Sequence, residues 1–171
     1  MPFNYPDQYN QLLKRHKQHG VLIDSNLLLL FTIGSFNQSL VGRYNRLSKY
    51  TEKDFLTITH FIKYFEKIIT TPHILTEVSN LSNMIDNKIK TLYFDNFYTK
   101  LKILEESNIS FLKAFEDSNT RKFGLTDAGI TVIAREKYLV LTDDFPLSGY
   151  LEKQGIDVIN FNHLRYLSYF K

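Results

Sequence analysis

The sequence predicts an α/β protein in which a central, mainly parallel sheet is covered by helices on both faces, a three-layer α/β/α sandwich. Three observations carry this expectation. Short strand-like runs alternate with helix-like segments along the chain, the pattern of folds built from repeated βα units. The run Val21-Leu22-Ile23 is wholly apolar, as a strand buried on both faces of a parallel sheet must be. Helix start and stop signals separate the runs: Thr71-Pro72 opens one segment and Gly155 closes another.

The elements follow in order. Residues 1–19 read as an N-terminal extension and 20–162 as the core of a single domain. Met1 to Gln11 is polar and lacks the apolar stretch of a signal peptide. Val21 to Ile23 is the first strand, Asp24 ends it, and a second apolar run begins at Leu27. Residues 34–50 mix Gly34, Ser35, Asn37, Gly42 and Asn45 and predict a loop or short helix. Residues 52–66 predict a helix, with Phe55, Ile58, Ile62 and Phe65 at helical spacing. Lys67 to Thr70 reads as a second strand. A helix then starts with Thr71 as N-cap and Pro72 at its first position, and Ile74, Val78 and Leu81 form its apolar face. Residues 84–106 read as one longer amphipathic segment. Thr126-Asp127 opens another helix, with Ile130, Ile133 and Ala134 facing inward. Tyr138 to Thr142 is a clear strand, a short helix runs from near Pro146 to Gly155, and Asp157 to Phe161 is the last strand.

Composition narrows the chemistry. The chain has 171 residues, 43% hydrophobic and 23% charged, enough for one domain with a real core. It contains no cysteine, which excludes disulfides, zinc–thiolate sites and thiol nucleophiles and suits a reducing compartment. The most apolar run, Val21 to Ile33, is broken by Asp24, Ser25 and Asn26 and is too short to span a bilayer. A cytoplasmic protein with no membrane partner is the expectation. The net charge of +3 permits a nucleic-acid partner without arguing for one.

The acids are placed where open parallel sheets bind ligands, at the carboxyl ends of strands. Asp24 follows the first strand, and Asp143 and Asp144 follow the strand ending at Thr142. Glu77 and Asp127 lie near helix beginnings, each beside a buried face by its spacing from Ile74 and Leu81 or from Ile130 and Ala134. No Arg or Lys occupies an evident matching position. Carboxylates meeting there would repel one another unless a cation stood between them, and hard divalent ions take such oxygen ligands. Simpler roles stay open for each acid taken alone. Asp24 could end a strand, Glu77 and Asp127 could favour a helix dipole, and Asp143 or Asp144 could cap the helix near Pro146.

The surroundings of these acids resemble those of PIN domains. Val21-Leu22-Ile23-Asp24-Ser25-Asn26-Leu27-Leu28 is similar to the family's opening motif. Thr71-Pro72-His73-Ile74-Leu75-Thr76-Glu77-Val78 resembles the second, Leu125-Thr126-Asp127-Ala128-Gly129-Ile130 the third, and Leu139-Val140-Leu141-Thr142-Asp143-Asp144-Phe145 the fourth, an apolar strand followed by Thr-x-Asp and an aromatic. The four occur in family order and span about residues 20–162. The resemblance implies a PIN-like fold and a metal-dependent endonuclease, with single-stranded RNA as the expected substrate and Mg²⁺ or Mn²⁺ as cofactor. Its acids are Asp24, Glu77, Asp127 and Asp144, with Asp24 central. Asp143 holds the variable position and is an extra or substitute metal ligand. Ser25, Asn26 and Thr142 would support the acids. Glu77 would bind metal or position the attacking water. Many small PIN proteins are toxins held by an antitoxin, so an inhibitor protein is a partner by resemblance, and a homodimer is compatible with the aromatic content.

An anionic substrate calls for flanking cations. Arg43, Arg46 and Lys49, with Lys53, form one candidate group, and Lys14, Arg15 and Lys17 another; a solvated surface is the plainer role for both. Tyr44 and Tyr50 interleave with the first group, as base-stacking or core residues. His73 precedes Glu77 by four residues and His163 follows the last strand; packing is the expected role of each. Two other classes compete. A catalytically silent PIN-fold module would bind RNA or scaffold an assembly, which the complete acid set opposes. A phosphoacceptor receiver domain needs adjacent acids after its first strand and a late lysine, whereas Ser25 follows Asp24 here. Nothing separates RNA from DNA, because metal chemistry at phosphate does not read the 2′-hydroxyl.

Overall fold

The computed structural model describes residues 6–116, 123–135 and 137–169. Its centre is a five-stranded, all-parallel sheet in the order β3-β2-β1-β4-β5, flanked by helices as an α/β/α sandwich. The strands are β1 (Val21–Ile23), β2 (Ile68–Thr70), β3 (Leu104–Glu106), β4 (Leu139–Thr142) and β5 (Val158–Asn160). β1 pairs with β2 on one side and with β4 on the other, in a register that sets Ile23 beside Leu141. Every residue of β1 and β4 is buried, the burial that wholly apolar runs require.

The helices in chain order are α1 (Asp7–His16), α2 (Ser25–Phe36), α3 (Glu52–Ile62), α4 (Pro72–Ser82), α5 (Asn87–Leu101), α6 (Phe111–Glu116), α7 (Leu125–Ala134), α8 (Phe145–Lys153) and α9 (Phe161–Tyr169). α2 is the second apolar run. It is apolar on all sides because it packs against α3, α4 and α5, and Leu27 to Gly34 are all buried. Residues 34–50 continue from α2 into two single-turn 3₁₀ helices, Gln38–Leu40 and Asn45–Leu47. α3 is opened by a capping box: the Thr51 side chain accepts from the Asp54 amide and the Asp54 carboxylate accepts from the Thr51 amide. α4 begins as expected, with Thr71 accepting from the Ile74 amide at 3.1 Å and Pro72 in the first turn. Gly155 closes α8 with a φ of 71°, the left-handed conformation in which glycine has no steric penalty.

Several expectations need correction. The segment 84–106 is not one element: α5 ends at Leu101 and β3 follows. β3 is an edge strand with Glu105 and Glu106 exposed, so it lacks the apolar run that marks a central strand, and its charges discourage further pairing. Phe161 belongs to α9 rather than the last strand, because the Asn160 side chain accepts from the Asn162 amide at 3.0 Å and turns the chain. The N-terminal extension is part of the packed structure. α1 buries Tyr9, Leu13 and His16, Arg15 and His16 both reach Asp157, and the Tyr9 hydroxyl hydrogen-bonds His163 Nδ1 at 2.9 Å. Residues 1–5 of the extension lie outside the described residues. No helix among the described residues is long and apolar enough to cross a membrane.

From β1 the chain steps outward to β2 and β3, then returns to β4 and β5 on the opposite side. The connections leaving β1 and β4 therefore diverge, and a crevice opens at the carboxyl ends of these two strands, the usual ligand position in such sheets.

Gly34 sets the distance between α2 and α3. A Cβ there would stand 2.3 Å from the buried Phe55 ring, and 2.5 Å from its root carbon. Alanine is favoured over glycine in a helix interior by about 1 kcal/mol, but overpacking costs about 1–3 kcal/mol. The contact with the ring root sets the cost high in that range. Gly34→Ala should therefore lower stability by about 1–2 kcal/mol, read as a lower urea midpoint at unchanged slope, and Phe55→Leu should relieve part of the loss.

Candidate active site

Asp24 lies at the crevice, between β1 and α2. It is the N-cap of α2, and its Oδ1 accepts from the Leu27 amide at 3.0 Å. Its Oδ2 accepts from the Thr142 hydroxyl and from the Asp143 amide, the latter at 3.2 Å. Only 6% of the residue is exposed. Burial, and then the neighbouring Asp143 charge, raise the Asp24 carboxyl above its ordinary value, while the three hydrogen bonds oppose the rise.

Thr142 explains the Thr-x-Asp spacing after β4. Its hydroxyl donates to Asp24 and accepts from the Asp144 amide at 3.0 Å. One side chain thus joins the first acid to the last. Asp144 is exposed and caps α8, accepting from the Leu147 amide at 2.8 Å. The capping role and the site position coincide in this residue.

Asp143 is the deeper of the adjacent pair, with its side chain only 2% exposed. Its Oδ2 accepts from the Tyr50 hydroxyl at 2.6 Å and is ion-paired with the Lys49 ammonium. Its Oδ1 accepts from Asn26 at 3.3 Å, and its carbonyl accepts from Asn162 at 2.9 Å. A matching cation therefore does exist, and sequence spacing did not reveal it. Burial, then Asp143, raise the Tyr50 hydroxyl far above its ordinary value, so Tyr50 stays a donor.

The other two acids face the site from helices. Glu77, exposed on α4, accepts from Ser25 Oγ at 2.7 Å. Asp127, half-buried in the first turn of α7, has its carboxyl pushed up to about 7 by burial, then by Asp144 and Glu77. Among the described residues neither Asp127, Glu77 nor Asp144 has an ion-pair partner. Each expected supporting residue touches an acid: Ser25 touches Glu77, Asn26 touches Asp143, and Thr142 touches Asp24.

The donor set has the chemistry of a hard divalent-ion site, with carboxylate oxygens held together against their own repulsion. The acids do not close on a single point, however: among the described residues no three His, Cys, Asp or Glu side chains form a group that could hold a metal ion. Glu77 and Asp144 are the exposed members.

A cleft of about 710 Å³ runs beside Glu77, lined in part by Arg46, His73, Asn80, Leu81 and Thr126. Arg43 and Arg46 are exposed and make no ion pair among the described residues. Lys49 is committed to Asp143. Tyr50 is a core residue, 2% exposed, and the Tyr44 hydroxyl donates to the Leu81 carbonyl. His73 lines the cleft, but its Nδ1 is buried without a hydrogen-bond partner. Arg165 and Asn162 were not anticipated. Arg165 binds Asp54 Oδ1 at 2.9 Å and the Lys49 carbonyl at 2.9 Å. Their only advance signal was the polar pair Asn160 and Asn162 around Phe161.

Two outcomes follow. Thr142→Val keeps the shape of the side chain but removes the hydroxyl, leaving the Asp144 amide without this acceptor and Asp24 with two of its three donors. The expected loss is about 1–3 kcal/mol, measured by urea unfolding. The raised Asp127 carboxyl has a defined sign. Below the unfolded carboxyl value both states are protonated and no penalty applies; as pH rises from about 4 to about 7 the unfolded chain releases its proton while the folded one holds it. Metal-free protein should lose stability across that window, and Asp127→Asn should flatten the loss, as pH-dependent thermal unfolding will show. Compared with known proteins, the chain matches no protein-family model and no curated protein.

Proposed function

We propose that this protein is a cytoplasmic, metal-dependent endonuclease of the PIN type that hydrolyses phosphodiester bonds in single-stranded RNA with Mg²⁺ or Mn²⁺. The observation that carries this reading is the pair of acid groupings near the carboxyl ends of β1 and β4: burial and then Asp143 raise Asp24, and burial and then Asp144 and Glu77 raise Asp127. A structural role alone gives no reason to hold uncompensated carboxylates together, since each costs stability.

Asp24, Glu77, Asp127 and Asp144 are the residues that would hold the ion. A divalent ion bound by them lowers the pKa of a water and neutralises charge on the phosphate oxygens. The chain's own contributions are orientation and proton handling. Thr142 and the Leu27 and Asp143 amides fix both oxygens of Asp24. Ser25 steers Glu77 toward the crevice. Asp127, with its carboxyl near 7, can exchange a proton close to neutral pH. The cleft beside Glu77, with Arg46 on its wall, offers a cation that has no ion-pair partner among the described residues to the backbone of a strand entering the site. An inhibitor protein of antitoxin type, or a second copy of the chain, fits the same reading. Exposed Leu92 and Tyr98 on α5 supply apolar surface for either.

The test is cleavage of labelled single-stranded RNA and DNA with Mg²⁺, Mn²⁺ or chelator. Wild type should cut only with metal. Asp24→Asn and Asp127→Asn should each lose more than about 100-fold, beyond the usual effect of residues that merely support a metal ligand. Asp127→Asn is the cleaner variant, since its carboxylate accepts no hydrogen bond among the described residues. Wild type that is inert with every metal, and that binds none by calorimetry, would overturn the proposal.

A further inference from the structure

We propose that the cleft beside Glu77 binds one unpaired nucleotide of the substrate strand, with Asn80 reading the edge of its base and Arg46 meeting its phosphate. The inference rests on the nuclease reading for the strand that brings the nucleotide, and adds to it the residue that selects the base.

The cleft has the size and the mixed lining of a small-ligand site. Its volume of about 710 Å³ falls within the roughly 300–1,000 Å³ of pockets that take organic ligands. Asn80 and Leu81 follow Glu77 by three and four residues, so the three share one face of α4, and Met84 lines the cleft just beyond the helix end. Leu81 packs against the core, whereas Met84 is 56% exposed. Apolar surface facing water gains from being covered, and a thioether packs well on a flat ring. Asn80 is exposed, and its carboxamide makes no hydrogen bond among the described residues. A carboxamide offers a donor and an acceptor side by side, the pattern that a base edge answers. The Arg46 guanidinium matches phosphate in the same way. Together the three groups meet the face, the edge and the phosphate of one nucleotide.

The wall that carries Arg46 is fixed to the floor. The Tyr44 hydroxyl donates to the Leu81 carbonyl near the end of α4. Leu47, in the same 3₁₀ turn as Arg46, is fully buried. The backbone that presents Asn80 and Arg46 is therefore set before a ligand arrives, which lowers the ordering cost of binding. Glu77 stands at the crevice end of the cleft, held by Ser25 next to Asp24. A strand with one nucleotide in the cleft runs on toward the acids.

The experiment titrates the protein, in chelator, with AMP, GMP, CMP, UMP and ribose 5-phosphate, followed by amide chemical shifts. Shifts should centre on Asn80 to Met84 and Asn45 to Leu47. The preferred nucleotide should bind at least about fivefold more tightly than ribose 5-phosphate, the lower end of what stacking of one base supplies. Arg46→Ala should weaken all five ligands by a similar factor. Asn80→Ala should cost the preferred base roughly three- to tenfold, level the four bases and leave ribose 5-phosphate unchanged. Both residues are exposed, so neither variant opens the core. Nucleotides that bind no better than ribose 5-phosphate, shifts centred elsewhere, or an unchanged order of bases in Asn80→Ala overturns the inference. Binding of none of the five ligands overturns it as well and leaves the cleft to a protein segment. Metal-dependent cleavage of RNA by the same protein would keep the nuclease reading in each of those cases. Nucleotide binding in the cleft of a protein that cuts nothing with any metal would overturn that reading and keep the assignment of the cleft.

Discussion

The Thr142 hydroxyl stands between the Asp24 carboxylate and the Asp144 amide, and through it the carboxyl ends of β1 and β4 share one hydrogen-bonded unit. A hydroxyl suits this position because it donates once and accepts as well. The parallel register that sets Ile23 beside Leu141 brings the two strand ends level, and the Asp24 amide completes the join by donating to the Leu141 carbonyl at 3.1 Å. Both flanking acids also cap helices, Asp24 for α2 and Asp144 for α8. The same few atoms therefore end two strands, start two helices and aim two carboxylates. Local folding and the site cannot be varied separately here.

Burial and charge divide the cluster into a satisfied part and an unsatisfied part. Asp143 is as buried as Asp24, and its carboxylate has an ammonium, a hydroxyl and an amide as partners, as a buried charge requires. Asp127 is less enclosed, but burial and then Asp144 and Glu77 push its carboxyl up to about 7, and it has no ion-pair partner among the described residues. Proximity of acids alone does not set their protonation; burial and the balance of neighbouring charge do.

Much of the fold was legible because its signals are local. The apolar runs of β1 and β4, the Thr71-Pro72 start of α4 and the Gly155 stop of α8 each need only a few neighbouring residues to be recognised. β3 was not legible, because an edge strand pairs on one side and Leu104-Glu105-Glu106 carries no apolar pattern. α1 was passed over for its polarity, although Tyr9, Leu13 and His16 recur at helical spacing and are buried. Within the site, Asp24, Asp143 and Asp144 were readable from their positions after strands, whereas Glu77 and Asp127 rested on helix spacing and Ser25, Asn26 and Thr142 on the resemblance to PIN domains. The pairing of Lys49 with Asp143 was not readable, nor the reach of Arg165 to Asp54 across 111 residues, because contacts between distant loops and helix ends leave no periodicity in the sequence. Side-chain directions are likewise silent there, so the present separation of the acids could not be foreseen.

The clasp formed by Arg165 has a consequence for the order in which the molecule is made. Translation delivers Asp24, Glu77, Asp127 and Asp144 before it delivers α9. At about 5–20 residues per second, the interval between Asp144 and Arg165 lasts roughly one to four seconds. During that time a nascent chain holds these four acids but lacks the guanidinium that fixes the Lys49 carbonyl and Asp54. Until then the buried Asp54 carboxylate lacks its ion-pair partner. Fixing of the Lys49 backbone and of the first turn of α3 thereby waits for α9.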